Sequence, residues 1–316
     1  MDGQSGYEEL EVRFAAWAQA RPDIRAAFVV GSRAREGDHP ADDWADLDIM
    51  MITSNPKRYL ARTDWLERFG NIWVTNRGSI LSGDPERFAL FEGGLAVDFV
   101  VMGRGRARQF ALLLPVLRRF PGLLPLLPAK ARQEIRLAAQ LFGRGFRVVV
   151  DKDGFAAKIH LLIALASGPP PPSQAEFLEV ISGFWFLADR MARKLRRGET
   201  AVAMSYHHGL VHGLLVPMLE WQARATHGWD YDIWHQARFL EEWADPRAVE
   251  GLRSAFAHYD EEDLWRALLA TMDLFRWLAN ETAQRLSYPY PTVADEHVTA
   301  WVRQLAEART DSEDRA

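Results

Sequence analysis

Ala26-Ala27-Phe28-Val29-Val30-Gly31-Ser32-Arg33, twelve intervening residues, then Asp46-Leu47-Asp48-Ile49-Met50-Met51-Ile52: these two stretches organise the N-terminal half of the 316-residue chain. Each contains an apolar run that reads as a strand. The first run ends in a glycine-serine turn, and the second is headed by two carboxylates. Residues i and i+2 of a strand share a face, so Asp46 and Asp48 are expected side by side, with Leu47 and Ile49 turned into the core. An apolar strand rarely begins with two carboxylates unless something compensates their charge. A third acid, Asp98, interrupts the otherwise apolar run Leu95-Ala96-Val97-Asp98-Phe99-Val100-Val101-Met102. If that strand lies beside the Asp46 strand, three acids meet on one sheet surface.

Three such acids repel one another and suffer raised pKa values unless cations intervene. Hard oxygen donors at this density suit Mg²⁺, which keeps waters and phosphate oxygens in its shell. Two such ions stabilise the attacking and leaving oxygens of a phosphoryl or nucleotidyl transfer. The Gly31-Ser32 turn fits the same need: glycine allows close backbone approach, and backbone N–H groups with the Ser32 hydroxyl can cradle a phosphate. Arg33 is expected to reach a triphosphate oxygen. The residues therefore point to a nucleotidyltransferase site.

Working outward, the pattern is a small α/β unit followed by a helical half. Glu8 to Ala20 reads as an amphipathic helix, Ile24 to Val30 as a strand, 35–43 as a loop and Leu47 to Thr53 as a second strand. Leu60 to Phe69 reads as a helix. Short strands are expected at Asn71–Thr75 and Phe88–Phe91, and another at Phe146–Val150. After the stiff Pro169–Pro172 connector, helical spacing runs through Ala175–Arg196, Tyr206–Thr226, with Pro217 kinking it or marking its early turns, and Glu262–Leu286. The expected fold class is α+β, with a mixed sheet in an N-terminal α/β domain and a C-terminal helical bundle. The expected division is 1–145, 146–290 and a frayed tail, 291–316.

Composition narrows the function class. The chain carries 38 Lys and Arg against 43 Asp and Glu, a net charge of −5, which argues against a general nucleic-acid binder. There are no cysteines, which excludes disulfides, thiolate catalysis and Cys-based zinc sites. Met1 to Leu10 is polar and acidic, unlike a signal peptide, and no run reaches the ~20 apolar residues of a membrane helix. A soluble, cytoplasmic protein without nucleic-acid or membrane partners is expected.

Gly-Ser followed by Asp-x-Asp, with a later strand acid, resembles the polymerase-β-like nucleotidyltransferases. The wider chain is similar to the aminoglycoside 6-adenylyltransferases, also called streptomycin adenylyltransferases. The resemblance covers roughly residues 8–290. It is carried by Val29-Val30-Gly31-Ser32-Arg33-Ala34, Asp46-Leu47-Asp48-Ile49, Ala96-Val97-Asp98-Phe99, Val150-Asp151-Lys152-Asp153-Gly154 and Phe184-Trp185. It implies ATP and Mg²⁺, two ions in all, with AMP passed to a hydroxyl of a cationic aminoglycoside and pyrophosphate released. On this resemblance Asp46 and Asp48 are metal ligands. Asp98 is the third carboxylate, taking the proton of the attacking hydroxyl or sharing a metal. Gly31, Ser32, Arg33 and Lys152 contact the phosphates. The chain departs from the family where Asn-Glu commonly precedes Phe-Trp, since Ser182-Gly183 stand there, and where Lys-Gly commonly follows, since Arg193-Lys194 stand there. Both departures fall in the helical half, where the acceptor is expected to bind. Adenylation of another hydroxylated molecule, such as a lincosamide, and a nucleotide sensor without turnover are the alternatives.

Other signals read as ordinary. His208 and His212 are an i,i+4 pair, but no Glu follows His208 to make a zincin motif. The acids at Asp230, Asp232, Glu241, Glu242, Asp245 and 260–263 read as a solvated helix face. Eight of the twelve tryptophans lie from Trp185 onward, as core of the bundle.

Overall fold

The computed structural model describes residues 3–35, 37–79, 83–165 and 168–313. The chain divides into two compact units, with the division between residues 167 and 168.

The first unit is built on six strands: β1 (Ile24–Val30), β2 (Leu47–Thr53), β3 (Ile72–Ser79), β4 (Pro85–Phe91), β5 (Leu95–Gly103) and β6 (Arg147–Asp151). Their order across the sheet is β3-β4-β5-β2-β1-β6. Only β2 and β5 pair parallel, so the sheet is mixed. Strand alternation sorts the side chains onto two faces. On one face Ala27, Val29, Leu47, Ile49, Met51, Val97 and Phe99 are buried against α1 (Gly3–Ala20) and α2 (Pro56–Ala61), with Phe14, Trp17, Tyr59, Trp65 and Phe69 closing the layer. On the other, Ala26, Phe28, Val30, Met50, Ile52 and Val100 pack against α3 (Arg104–Arg119), α4 (Ala129–Gly143) and α5 (Phe155–Ile163). Burying each large apolar side chain contributes roughly 1.5–3 kcal/mol.

Several expectations are revised. Leu60–Phe69 is not one helix. Asn55 caps Arg58 N and Pro56 occupies the first turn, so the helix starts early and stops at Ala61; a separate 3-10 turn follows at Leu66–Arg68. The Trp65 indole fixes the break by donating to the Tyr59 and Arg62 carbonyls. The first unit extends past the expected 145/146 boundary, because β6 pairs with β1 from Ala26↔Asp151 to Val29↔Arg147.

The second unit is helical: α6 (Gln174–Arg196), α7 (Thr200–Leu210), α8 (Val216–His227), α9 (Leu240–Trp243), α10 (Pro246–Ala255), α11 (Glu261–Leu286) and α12 (Thr292–Glu313). Ser173 and Glu176 form a capping box that starts α6. Phe184 of α6 stacks on Phe275 of α11 with ring centroids 3.7 Å apart. Between α7 and α8, Val211–Leu215 widen into a π-turn. Pro217 lies in the first turn of α8, where its missing N–H disturbs the ladder least. The expected frayed tail is instead helix α12 as far as Glu313. Val302 is fully buried in the bundle, and Arg276 and Tyr290 hold Asp295. The rest of the tail, 314–316, lies outside the described residues. No described helix is long and apolar enough to cross a membrane.

Candidate active site

β1 runs out at Val30, and Gly31 turns the chain with φ 70° and ψ −151°, a conformation open essentially to glycine alone. A short 3-10 turn, Ser32–Ala34, follows. Its leading N–H groups have no partner within the turn. The Ser32 hydroxyl is buried and finds no hydrogen-bond partner among the described residues. Both features suit an anion brought in from outside.

The three predicted aspartates converge. Asp48 on β2 and Asp98 on β5 are register partners across the one parallel pairing, and Asp46 lies just ahead of β2. One oxygen from each carboxylate lies within 4.8 Å of the other two. Leu47 and Ile49, which alternate with the two acids, are fully buried on the opposite face. Neither Asp46 nor Asp98 forms an ion pair or side-chain hydrogen bond with a described residue. Burial, then the negative charges of Glu86 and Asp46, push the Asp98 carboxyl up to about 7. A half-buried carboxylate trio at this spacing has the donor set of a hard divalent metal.

Sequence reasoning missed Glu86. It lies on β4, on the same face as Asp98, because Phe88 is the register partner of Asp98 and Glu86 stands two residues before it. Its side chain is 94% buried, at 6% exposure, and burial followed by the Asp48 and Asp46 charges raises its carboxyl pKa. The available signal was an acid in a strand, the same signal that marked Asp98. It was hidden because β4 begins at Pro85, three residues before the expected start.

Arg33 turns away from the expected phosphate role. Its Nε and one terminal nitrogen donate to the Ala45 carbonyl at 3.1 and 2.7 Å, and its guanidinium lies 3.6 Å from the centroid of the Tyr7 ring. Tyr7 in turn accepts a hydrogen bond from Ala96 N through its hydroxyl. One chain of contacts thus holds both the residue before Asp46 and the strand that carries Asp98.

Lys152 does not join the carboxylates. Its ammonium donates to the carbonyls of Ala18, Gln19 and Arg21 at 3.0, 3.0 and 2.7 Å, closing the C-terminal end of α1. Lys152 N pairs with Arg25 O, whereas Asp48 pairs with Val30 at the other end of β1. Five residues of strand, ~16 Å, separate the two positions along the sheet. The neighbours of Lys152 are also structural. Asp151 accepts from Phe155 N and Ala156 N at the start of α5, and Gly154 takes φ 72°. Arg25 and Arg104 hold the Asp153 carboxyl well below the usual carboxylate range.

In the second unit, the acids read as a solvated face mostly hold backbone or cations. Asp230 accepts from Gly168 N, Asp245 and Asp260 cap α10 and α11, and Asp263 binds His258 and Arg266. His207 is buried, with Nε2 on the Ala255 carbonyl at 2.7 Å.

Residues 6–305 match the family described as streptomycin adenylyltransferase. The chain is 22% identical over 287 residues to an aminoglycoside 6-adenylyltransferase of Bacillus subtilis (strain 168), covering 89% of this chain and 91% of that protein. It is 19% identical over 283 residues to an aminoglycoside 6-adenylyltransferase of Staphylococcus aureus, covering 87% and 90%. A solved structure of an aminoglycoside 6-adenyltransferase from Bacillus subtilis aligns over 95% of this chain and 98% of that one, with 17% identity and a TM-score of 0.43.

Proposed function

The chain belongs to the streptomycin adenylyltransferase family, and on that premise we propose that it transfers AMP from Mg-ATP to a hydroxyl of streptomycin or a related aminoglycoside, releasing pyrophosphate. It is a nucleotidyltransferase. The observation that carries the fuller reading is the meeting of Asp46, Asp48 and Asp98 on one sheet face beside a glycine-serine turn with an unpartnered hydroxyl.

In this reading Asp46 and Asp48 hold Mg²⁺, and Asp98 completes the donor set. When bound, the metal neutralises charge on the triphosphate and on the leaving pyrophosphate. The turn amides and Ser32 hold the phosphates. The acceptor oxygen bonds to the α-phosphorus as the bond to the pyrophosphate oxygen breaks, and the hydroxyl proton passes to Asp98. Arg33 and Tyr7 act at one remove, by fixing Ala45 and Ala96. The N-terminal unit is the Mg-ATP domain of this proposal and the helical unit the acceptor domain; antibiotic resistance is the matching physiological role.

The test is a pyrophosphate-release screen with Mg-ATP over a panel of aminoglycosides that includes streptomycin and spectinomycin. Release with streptomycin supports the whole reading. Release with another acceptor alone changes the substrate and keeps the chemistry. Binding of a non-hydrolysable ATP analogue without turnover on any acceptor overturns the enzymatic reading in favour of a nucleotide sensor.

A further inference from the structure

We propose that Glu86 is a specificity-determining carboxylate of this site, receiving an ammonium or guanidinium group of the acceptor next to the hydroxyl that reacts. The inference rests on the transferase reading above and adds to it a residue and a direction of approach.

Glu86 is 94% buried, at 6% exposure, yet it makes no hydrogen bond or ion pair with any described residue. A buried carboxylate left alone is costly; a proton relieves it in the free protein, and an incoming cation can take the proton's place. Nearby arginines are committed elsewhere. Arg106 binds Asp84 and Glu134, and Arg87, adjacent in sequence but on the other face of β4, donates to the Leu60 carbonyl. Glu86 also stands outside the trio of ligand oxygens formed by Asp46, Asp48 and Asp98. Its carboxylate is thus left open to a cation other than the metal that the trio would hold.

Sheet order says which cation. Across the sheet stand the end of β1 with Gly31-Ser32, then β2 with Asp48, then β5 with Asp98, then β4 with Glu86. At about 4.8 Å per strand, the Glu86 strand lies ~14 Å from the strand that ends in the phosphate-type turn. In-line transfer requires attacking and leaving oxygens on opposite sides of the phosphorus. With pyrophosphate held toward Gly31-Ser32, the acceptor hydroxyl enters over β5 and β4, past Asp98 and onto Glu86. Phe88, half-exposed and opposite Asp98 in register, gives that approach an apolar wall. A polycationic, polyhydroxylated acceptor meets these demands with a charged group near its reacting hydroxyl.

The experiment is calorimetry on the full chain loaded with Mg²⁺ and a non-hydrolysable ATP analogue, titrated with streptomycin or with the aminoglycoside giving the strongest pyrophosphate release. Wild type, E86Q and E86D are compared. The expected result is at least tenfold weaker acceptor binding for E86Q, partial recovery in E86D, and analogue affinity within twofold of wild type throughout. Steady-state kinetics should show the same split, with acceptor KM raised and ATP KM unchanged. Equal acceptor binding by E86Q and wild type overturns the inference, and so does a parallel loss of nucleotide and acceptor binding, which would make Glu86 part of the metal site. Wild type that binds the analogue but no aminoglycoside overturns the proposed function itself, and the Glu86 role with it.

Discussion

A Cβ built on Gly31 would lie 2.0 Å from Oδ2 of Asp48, so the metal-type carboxylate occupies the space that any other side chain at position 31 would fill. The glycine of the turn and the acid of the neighbouring strand are one packing unit, and the backbone at Gly31, φ 70° and ψ −151°, adds a second reason for glycine. Gly31→Ala is therefore expected to lower stability by about 1–3 kcal/mol. It should also cut turnover by ~100-fold or more, the scale of a reacting group displaced by about 1 Å. Urea denaturation and pyrophosphate release read the two effects. Gly105→Ala is the control, because nothing lies within 4 Å of its added Cβ, and it should be near neutral.

Asp48→Asn should keep the fold, since the amide is isosteric, and remove a charge from the trio. Turnover is expected to fall at least ~1,000-fold, the loss of about 4 kcal/mol of transition-state stabilisation. Circular dichroism should be unchanged and Mg²⁺-dependent nucleotide binding lost. Full turnover by the variant would refute the metal role of Asp48.

Asp98 links stability to pH in the metal-free protein. Its carboxyl rises in the fold to about 7, so the folded state holds this proton more tightly than the unfolded one. The corresponding stabilisation is complete below pH ~4 and is lost as pH rises through 7. Asp98→Asn should then be more stable than wild type at pH 8 in EDTA, by about 1–2 kcal/mol after allowance for solvent screening of a half-buried group. The advantage should vanish at pH 4. Mg²⁺ should narrow it at pH 8 by stabilising only the wild type. Thermal melts across this range test the sign.

Lys152→Met separates a helix cap from a phosphate contact. Removing three charge-assisted hydrogen bonds to the end of α1 should lower stability by about 1–2 kcal/mol. Affinity for Mg²⁺ and an ATP analogue should stay within twofold. A selective loss of nucleotide affinity without destabilisation would return Lys152 to the phosphate site.

The legible parts of the site were those written locally. Asp46 and Asp48 share a face because strand side chains alternate, and the turn at Gly31 follows from the end of an apolar run. The α/β character of the first unit and the helical second unit were legible from periodicity. Arg33 was read as a phosphate contact from its place after the Gly-Ser turn and from the family resemblance, and Lys152 from the resemblance. A cation's charge does not say which acceptors surround it, and both side chains end on backbone carbonyls instead. The helix in the expected tail was missed because its anchor lies elsewhere: Val302 is buried by side chains of distant helices.

By itself, the sequence determined the strands, the glycine turn, and the pairing of Asp46 with Asp48 against a core of Leu47 and Ile49. Tertiary structure decided that Asp98 joins them, through the parallel register of β2 and β5, and that Glu86 stands alone on the next strand. The reason is physical. Alternation and turn geometry are set by neighbouring peptide units, whereas strand order, register and the partner of a buried charge depend on which distant surfaces pack together.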